Sequence, residues 1–190
     1  MKSFLFLFQY LLNPRTIGAI LPSSKNLAQR MMDHIDFETA EYIVEYGPGT
    51  GVFTDKIIEN RRPHTVVLLI ESNQEFCRLL EERYENEENI FIVNGSAEDT
   101  DKYLNEYGIP YIDYVVSGLP FASLPKSVSN TILIKTKRLL SDHGKFITFQ
   151  YTQFKKRFIQ QYFERIEIKR EFRNIPPAYV FSCSNQSTVF

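Results

Sequence analysis

The stretch YIVEYGPGTGVFT, residues 42–54, joins an apolar run to a turn that carries a glycine at every second position. The run at 42–45 predicts a buried strand, and a helix is expected to begin at about Phe53. Glycines at such a turn allow the backbone to approach a ligand at the carboxyl end of the strand. A turn of this kind is often only a tight corner, so the rest of the chain must decide between the two interpretations.

Four further apolar runs predict strands at 65–71, 90–94, 111–117 and 145–151, and helical patterns lie between them. Runs such as TVVLLIE are almost continuously apolar, which is typical of parallel strands covered on both faces. The strand–helix repeats therefore predict a doubly wound α/β fold around a mostly parallel sheet.

The helical patterns at 74–84 and 127–140 are the clearest of those between the strands. Spacing by three and four residues places the apolar side chains of each pattern on one face. In the first helix, the side chains expected to face the core are those of Phe76, Leu79 and Leu80. Gly144 lies where a C-terminal stop for the second helix is expected.

The final part of the chain carries two strand patterns, IEIKREFR and AYVFSCSNQSTVF, on either side of a turn around Pro176 and Pro177. These patterns predict an antiparallel hairpin that supplies the sixth and seventh strands of the sheet. The expected fold is therefore an α/β, doubly wound, seven-stranded sheet that ends in an antiparallel closing hairpin.

The N-terminal residues differ in charge from the rest of the chain. Residues 1–32 hold four basic side chains and no acidic one, although the whole chain has a formal net charge of −1. The apolar run at 4–12 is too short to span a bilayer, so it predicts a helix that packs on the core or lies in a membrane surface. We expect an N-terminal helical extension at 1–37, as a membrane-surface element or substrate lid, and the main domain at 38–190.

Composition argues against several classes of function. Apolar and charged residues make up ordinary fractions of the chain, 43% and 24%, and the charge balance shows no footprint for nucleic acid. Three scattered histidines and two distant cysteines offer no metal-ligand spacing, so no metal site is expected. Cys77 and Cys183 fit buried, reduced thiols of a cytosolic protein.

The glycine turn has the pattern E-x-G-x-G-x-G, in which Glu45 precedes Gly47, Gly49 and Gly51. A dinucleotide-binding turn would have its third glycine at position 52, which is Val52 here. An acidic residue before the turn would repel a pyrophosphate but would suit a ligand with an ammonium group. The pattern therefore disfavours a nicotinamide-dependent dehydrogenase.

The stretch VEYGPGTG resembles motif I of the class I S-adenosylmethionine-dependent methyltransferases, and LLSDHGKFITF and the final hairpin resemble their strands 5 to 7. The resemblance implies a Rossmann-like methyltransferase domain at 38–190, with S-adenosyl-L-methionine as the cofactor held at the glycine turn. It also implies that Glu71, at the end of the second strand, accepts hydrogen bonds from the ribose hydroxyls, with Ser72 beside it.

The third strand leads into NGSAED, where members of this family often carry an aspartate that contacts the adenine amino group. Ser96 stands at that position here, between Gly95 and Ala97. The resemblance therefore places Ser96, Ala97 and Glu98 at the adenine, with Glu98 or a backbone group in place of the aspartate.

The stretch SGLPF after the fourth strand resembles motif IV of the same family, which lies beside the transferred methyl group. The resemblance implies catalytic roles for Ser117, Gly118, Leu119, Pro120 and Phe121. Backbone groups of Ser117 and Gly118 are expected to meet the cofactor and the acceptor, and the Phe121 ring is expected to face the methyl group. The alternative for Phe121 is an ordinary core position.

Two groups of these enzymes resemble the chain more closely. The ribosomal RNA adenine dimethyltransferases share motif I and a motif IV of the form Asn-Leu-Pro-Tyr/Phe, but Gly118 replaces the asparagine here. The bacterial phospholipid N-methyltransferases resemble it in NPRTIGAILPSSKNLAQRM, EYGPGTGVFT and VSGLPFASLP. This second resemblance implies methylation of a phospholipid amine of phosphatidylethanolamine type, with RNA as the less favoured acceptor.

The lipid interpretation implies a cytoplasmic enzyme whose residues 1–32 make peripheral contact with the inner face of the membrane. The basic side chains expected to meet lipid phosphate are Arg15, Lys25 and Arg30. The alternatives are an rRNA adenine N6-dimethyltransferase, a small-molecule methyltransferase and, from a different class, a non-catalytic cofactor-binding module that docks on membranes. The pattern carries no signal for an oligomeric state.

Overall fold

The structure is a computed structural model that describes residues 22–121, 123–151, 156–174 and 177–185, with side chains from residue 25 onward. The helix expected within the first twelve residues and the basic residue Arg15 lie outside the described residues, as does Pro176 of the predicted hairpin turn.

Seven strands form one sheet in the order β3-β2-β1-β4-β5-β7-β6. The strands are β1 (Tyr42–Tyr46), β2 (Val66–Glu71), β3 (Ile90–Asn94), β4 (Ile112–Ser117), β5 (Leu140–Gln150), β6 (Arg165–Glu171) and β7 (Ala178–Ser184). The helices are α1 (Pro22–Met32), α2 (Val52–Asn60), α3 (Gln74–Arg83), α4 (Thr100–Glu106), α5 (Lys126–Leu139) and α6 (Lys156–Ile159), with a 3₁₀ turn at Ala97–Asp99.

The predicted doubly wound sheet and its closing hairpin are confirmed. Strands β1 to β5 pair in parallel, and β7 pairs antiparallel with both β5 and β6. Successive residues of the central strands enter two separate apolar clusters: Val44 and Val115 lie in one, and Ile43 and Val116 lie in the other. The strands are almost continuously apolar because both faces of the sheet are covered.

Helix α1 packs on the main domain through one apolar face. Leu27, Ala28 and Met31 are almost fully buried, and Leu27 and Met31 lie in the cluster that also contains Ile57 of α2. The described part of the N-terminal extension thus shares its core with the sheet, and the boundary at residue 37 stays a prediction.

Leu79 is 37% exposed, so the prediction that it faces the core is wrong. Cys77 takes its place beside Phe76 and Leu80, because the apolar stripe of α3 is centred closer to Cys77. The Cys77 thiol donates to the backbone oxygen of Glu71, which fixes this face of the helix toward β2.

Gly144 does not stop a helix, because α5 ends at Leu139 and β5 begins at the next residue. The glycine lies inside β5, where the pairing register with β4 shifts between Ile112 and Tyr114. A β-carbon at Gly144 would lie 2.9 Å from the backbone oxygen of Ile112. The glycine therefore permits an irregular, close strand pairing.

Candidate active site

The carboxyl ends of the parallel strands bring the predicted site residues to one edge of the sheet. Tyr46 at the end of β1 lies beside Ile70 of β2 and Ser117 of β4, and Glu71 lies beside Asn94 of β3. The turns that follow these strands therefore open onto the same edge, which is where open α/β sheets bind their ligands.

The three glycines after β1 have positive φ angles, which are 64° for Gly47, 56° for Gly49 and 85° for Gly51. A β-carbon at Gly47 would lie 2.9 Å from the Leu119 side chain, and one at Gly51 would overlap the Tyr84 hydroxyl. A β-carbon at Gly49 would meet nothing within 4 Å among the described residues. Gly47 and Gly51 thus allow close packing of the turn, whereas Gly49 faces open space.

Two side chains at the end of α3 hold this turn. Tyr84 donates a hydrogen bond to Asp55 at 2.8 Å, and its hydroxyl lies 3.2 Å from the Gly51 carbonyl oxygen. Arg83 donates to the Thr50 carbonyl oxygen at 2.8 Å and to Asp55 at 2.6 Å. Burial, reinforced by Asp55, raises the pKa of Tyr84 and keeps it a donor. No local motif in the sequence predicts a role for these two residues, which follow the turn by about thirty residues.

The turn after β4 meets the glycine turn backbone to backbone at Gly118. Its N–H donates to the Tyr46 carbonyl oxygen at 2.8 Å. A β-carbon at Gly118 would lie only 2.6 Å from the Gly47 carbonyl oxygen. Any side chain at position 118 would therefore push the two turns apart, so glycine is the residue that this packing requires.

The Glu71 carboxylate links the ends of β1 and β2. One of its oxygens accepts from the Gly49 N–H at 3.0 Å, and the other accepts from the Asn73 N–H at 2.9 Å. Each carboxylate oxygen has a second lone pair, so Glu71 has the acceptor capacity for two ribose hydroxyls. Ser72 is exposed beside it. The ribose contact stays a prediction.

Glu45 is fully buried next to the glycine turn. One carboxyl oxygen accepts from the Thr54 hydroxyl at 2.7 Å, and the other has no hydrogen-bond partner within the part of the chain that the structure describes. Burial raises the pKa of Glu45 to about 8, the Thr54 hydrogen bond lowers it, and the charges of Asp55 and Glu71 raise it. A cation near Glu45 would favour its ionised form.

The raised pKa of Glu45 predicts a fold that loses stability as the pH rises. Between pH 5 and pH 8 the folded protein holds one proton that the unfolded chain has released. The free energy of unfolding should therefore fall by about 1.4 kcal/mol per pH unit in this window from Glu45 alone. The Glu45→Gln variant should lose this component in urea unfolding measured at pH 6 and pH 8, and parallel pH profiles for the two proteins would contradict it.

The segment after β3 forms a polar turn at the same edge. The Ser96 hydroxyl accepts from the Glu98 N–H at 3.2 Å and lies 3.5 Å from a Glu98 carboxylate oxygen. Ala97 is buried, and Glu98 is half-buried. The structure brings these three residues together, and their contact with adenine stays a prediction.

The five residues from Ser117, which ends β4, to Phe121 divide into backbone and core positions. Ser117 is fully buried, and its hydroxyl accepts from the Leu119 N–H at 3.2 Å. Leu119 and Pro120 are half-buried, and the Leu119 side chain covers Gly47. The backbone of this turn, rather than its side chains, is therefore the part that meets the glycine turn.

The Phe121 ring occupies the core, so the interpretation of this ring as a wall for the methyl group is corrected. The residue is fully buried, and its ring packs edge-on against Phe146 with a centroid distance of 5.8 Å. Because no part of the ring reaches solvent, Phe121 anchors the turn after β4 to the core.

Gln150 is a further polar residue at this edge, in addition to the predicted site residues. It ends β5, is 4% exposed, and its amide nitrogen finds no hydrogen-bond partner in the described ranges. An unpaired buried amide is costly, so such a group at a ligand-binding edge is a candidate contact. Nothing in the motif FQYT distinguishes it from an ordinary strand residue.

These residues suit the groups of S-adenosylmethionine. The space at Gly49, open among the described residues, leaves room for a ligand against the turn. A positively charged ligand would be complemented by Glu71 and would favour the ionised form of Glu45. Within the described residues, no cluster of histidine, cysteine and acidic side chains could hold a metal ion. Across the same ranges, no helix is long and apolar enough to cross a membrane.

The model of the ribosomal RNA adenine dimethylase family matches residues 10–171. An ornithine lipid N-methyltransferase from Singulisphaera acidiphila is 34% identical over 183 residues, which cover 95% of this chain and 94% of that protein. A ribosomal RNA small subunit methyltransferase A from Hydrogenobaculum sp. is 26% identical over 135 residues, which cover 67% of this chain but only 52% of that protein.

Among solved structures, the N-methyltransferase NodS from Bradyrhizobium japonicum in complex with S-adenosyl-L-homocysteine is similar in fold. The TM-score is 0.68 over 87% of this chain and 89% of that one, at 12% sequence identity. The predicted Rossmann-like methyltransferase fold is therefore confirmed. The family match and the nearly full-length relative together show that this protein is an S-adenosylmethionine-dependent N-methyltransferase and belongs to the ribosomal RNA adenine dimethylase family.

Proposed function

We propose that the enzyme methylates the primary amine of a membrane lipid, of the phosphatidylethanolamine or ornithine lipid type. The observation that carries the proposal is Gly118, because its contact with Gly47 leaves no space for an asparagine that would hold an adenine amine. The lipid-methylating relative supports it, because that match spans nearly the whole of both chains.

The bound cofactor supplies a methyl group on a positively charged sulfur. The amine would have to reach the turn after β4 unprotonated, because only a neutral amine has a lone pair with which to accept a methyl group. We infer that the backbone of Ser117 and Gly118 orients this amine in line with the methyl group, which is the main contribution that such a site makes. The closely packed turns keep that geometry rigid.

Within this proposal, four acidic or polar positions hold the cofactor. Glu71 accepts from the ribose hydroxyls, and Glu45 balances the ammonium group through its unpaired oxygen. Ser96 and Glu98 meet the adenine from the turn after β3. Gln150 lies on the other side of β4, and its amide nitrogen, which has no partner among the described residues, would donate to the acceptor.

We place the enzyme in the cytoplasm, at the inner face of the membrane. The two cysteines are free and buried, which suits a reducing compartment. Of the basic residues assigned to lipid phosphate, Lys25 is exposed, whereas Arg30 is paired with Glu171 and Asp33. Lys25 is therefore the better candidate for a phosphate contact among the described residues.

The second candidate function is dimethylation of adenine in ribosomal RNA. It is favoured by the family match and by the relative from Hydrogenobaculum sp.. A packed glycine at position 118 argues against it, because the aromatic amine then lacks a side-chain partner.

A labelling experiment separates the two functions. Radiolabelled S-adenosylmethionine is supplied with vesicles of phosphatidylethanolamine, with vesicles of ornithine lipid, or with ribosomal RNA. We expect label in at least one lipid fraction and none in RNA, and the lipid that takes it identifies the head group. Incorporation into RNA alone would refute the proposed acceptor.

A further inference from the structure

Phe172 is the most exposed large apolar side chain among the described residues, at 69%. It directly follows β6, in the connection that leads to β7. Single exposed apolar residues are common at protein surfaces, so the location and neighbours of Phe172 decide whether it has a role.

The strand register places Phe172 at the same edge of the sheet as the active site. Strand β5 runs parallel to β4 and ends at Gln150, which pairs with Tyr179 near the start of β7. Glu171 at the end of β6 pairs with Ala178. The β6–β7 connection therefore projects beyond the edge from which the turns after β1 and β4 also project.

Arginines surround this connection. The Arg170 guanidinium lies 4.5 Å from the centre of the Phe172 ring, and the Arg173 side chain is 68% exposed. Glu171 is 2% exposed and is paired with both Arg30 and Arg173, and Arg30 is also paired with Asp33. Among these described neighbours, three guanidinium groups outnumber two carboxylates, and Glu171 is buried, so the exposed surface around Phe172 carries a net positive charge.

We propose that Phe172, flanked by Arg170 and Arg173, docks the enzyme on an anionic lipid surface with the active-site edge toward the head groups. This inference rests on the proposed lipid acceptor, for which it supplies the orientation. An aromatic ring enters the boundary between head groups and acyl chains, and arginines beside it meet the phosphates. Arg170 already covers one face of the ring, which makes the position less suited to stacking on an RNA base.

The chain contains no tryptophan, so the fluorescence of a single introduced tryptophan reports only the surroundings of that residue. The full chain with Phe172→Trp is mixed with vesicles of phosphatidylglycerol and phosphatidylcholine, neither of which carries a primary amine. We expect a blue shift of the tryptophan emission and quenching by brominated acyl chains. The matched control is Ile134→Trp, because Ile134 is 57% exposed on α5 and is expected to show neither change.

Partitioning measured by co-sedimentation gives the energetic test. Phe172→Ser should bind the same vesicles about tenfold more weakly, since it removes one inserted aromatic ring. Ile134→Ser should bind like the unaltered protein. Equal binding of the two serine variants, or a Phe172→Trp signal that responds to ribosomal RNA and not to vesicles, would overturn the inference.

The vesicle assay is independent of methyl transfer, so the two proposals fail separately. Insertion of Phe172→Trp without label transfer to any lipid would leave docking in place and refute the acceptor. Label transfer to lipid with an unresponsive Phe172→Trp would support the acceptor and refute this docking surface.

Discussion

Replacing Gly49 by arginine is expected to abolish binding of S-adenosylmethionine. Gly49 is the one glycine of the turn whose β-carbon would point into open space, whereas Gly47 and Gly51 face protein atoms. The Gly49 N–H donates to the Glu71 carboxylate, so this space lies beside the predicted ribose contact. A long side chain at position 49 would therefore occupy the volume that the ligand needs. Isothermal titration calorimetry should show no heat of binding for the variant.

The substitution also strains the backbone, because Gly49 has a φ of 56°. A left-handed conformation costs a residue with a side chain about 1–2 kcal/mol. Gly108 offers a matched control, since its φ is 66° and its β-carbon would also meet nothing within 4 Å among the described residues. Gly108 lies before β4, at the opposite edge of the sheet.

We expect Gly108→Arg to lose a similar amount of stability and to keep its affinity for the cofactor. Normal binding by Gly49→Arg would show that the ligand lies elsewhere. Loss of binding by Gly108→Arg as well would show that backbone strain, rather than blocked space, explains the effect.

Replacing Gly118 by asparagine is expected to slow methyl transfer to every acceptor strongly and to destabilise the fold. The β-carbon alone would lie 2.6 Å from the Gly47 carbonyl oxygen and 3.6 Å from that of Tyr46. Forcing extra atoms into a packed contact costs about 1–3 kcal/mol. A shift of the turn by about 1 Å would reduce the rate on the order of 100-fold.

The test measures urea unfolding and radiolabel transfer to both lipid and ribosomal RNA. Ser123→Asn provides the control, because Ser123 is exposed further along the same loop and should tolerate the change. Transfer of label to RNA by Gly118→Asn would contradict the expectation. It would show that a single side chain at this position selects the acceptor, and that the two turns can separate.

The order of secondary structure could be predicted from the sequence because it depends on short-range patterns. Almost continuous apolar runs such as TVVLLIE indicate strands covered on both faces, and this run forms β2, which pairs with a strand on each side. The positions of the glycine turn and of Glu71 can be predicted for the same reason, since each lies at the end of such a run. The alternation of strands and helices then constrains these turns to one edge.

The interpretation of Phe121 and Gly144 required the structure, because each depends on a partner from another strand. Phe121 follows a proline in a turn, and only its packing against Phe146 of β5 shows that its ring lies in the core. Gly144 has the local setting of a helix stop, and only the irregular pairing with Ile112 explains it.

The sequence by itself determined a Rossmann-like sheet, a glycine turn for an S-adenosylmethionine-type ligand and a second turn at SGLPF. The tertiary structure alone decided that Gly49 faces the open space, that Gly118 packs on Gly47, and that Phe172 lies at the same edge. Local patterns encode which residues form a strand or a turn. Close approach is a property of two turns that strand order brings together, so no local pattern can encode it.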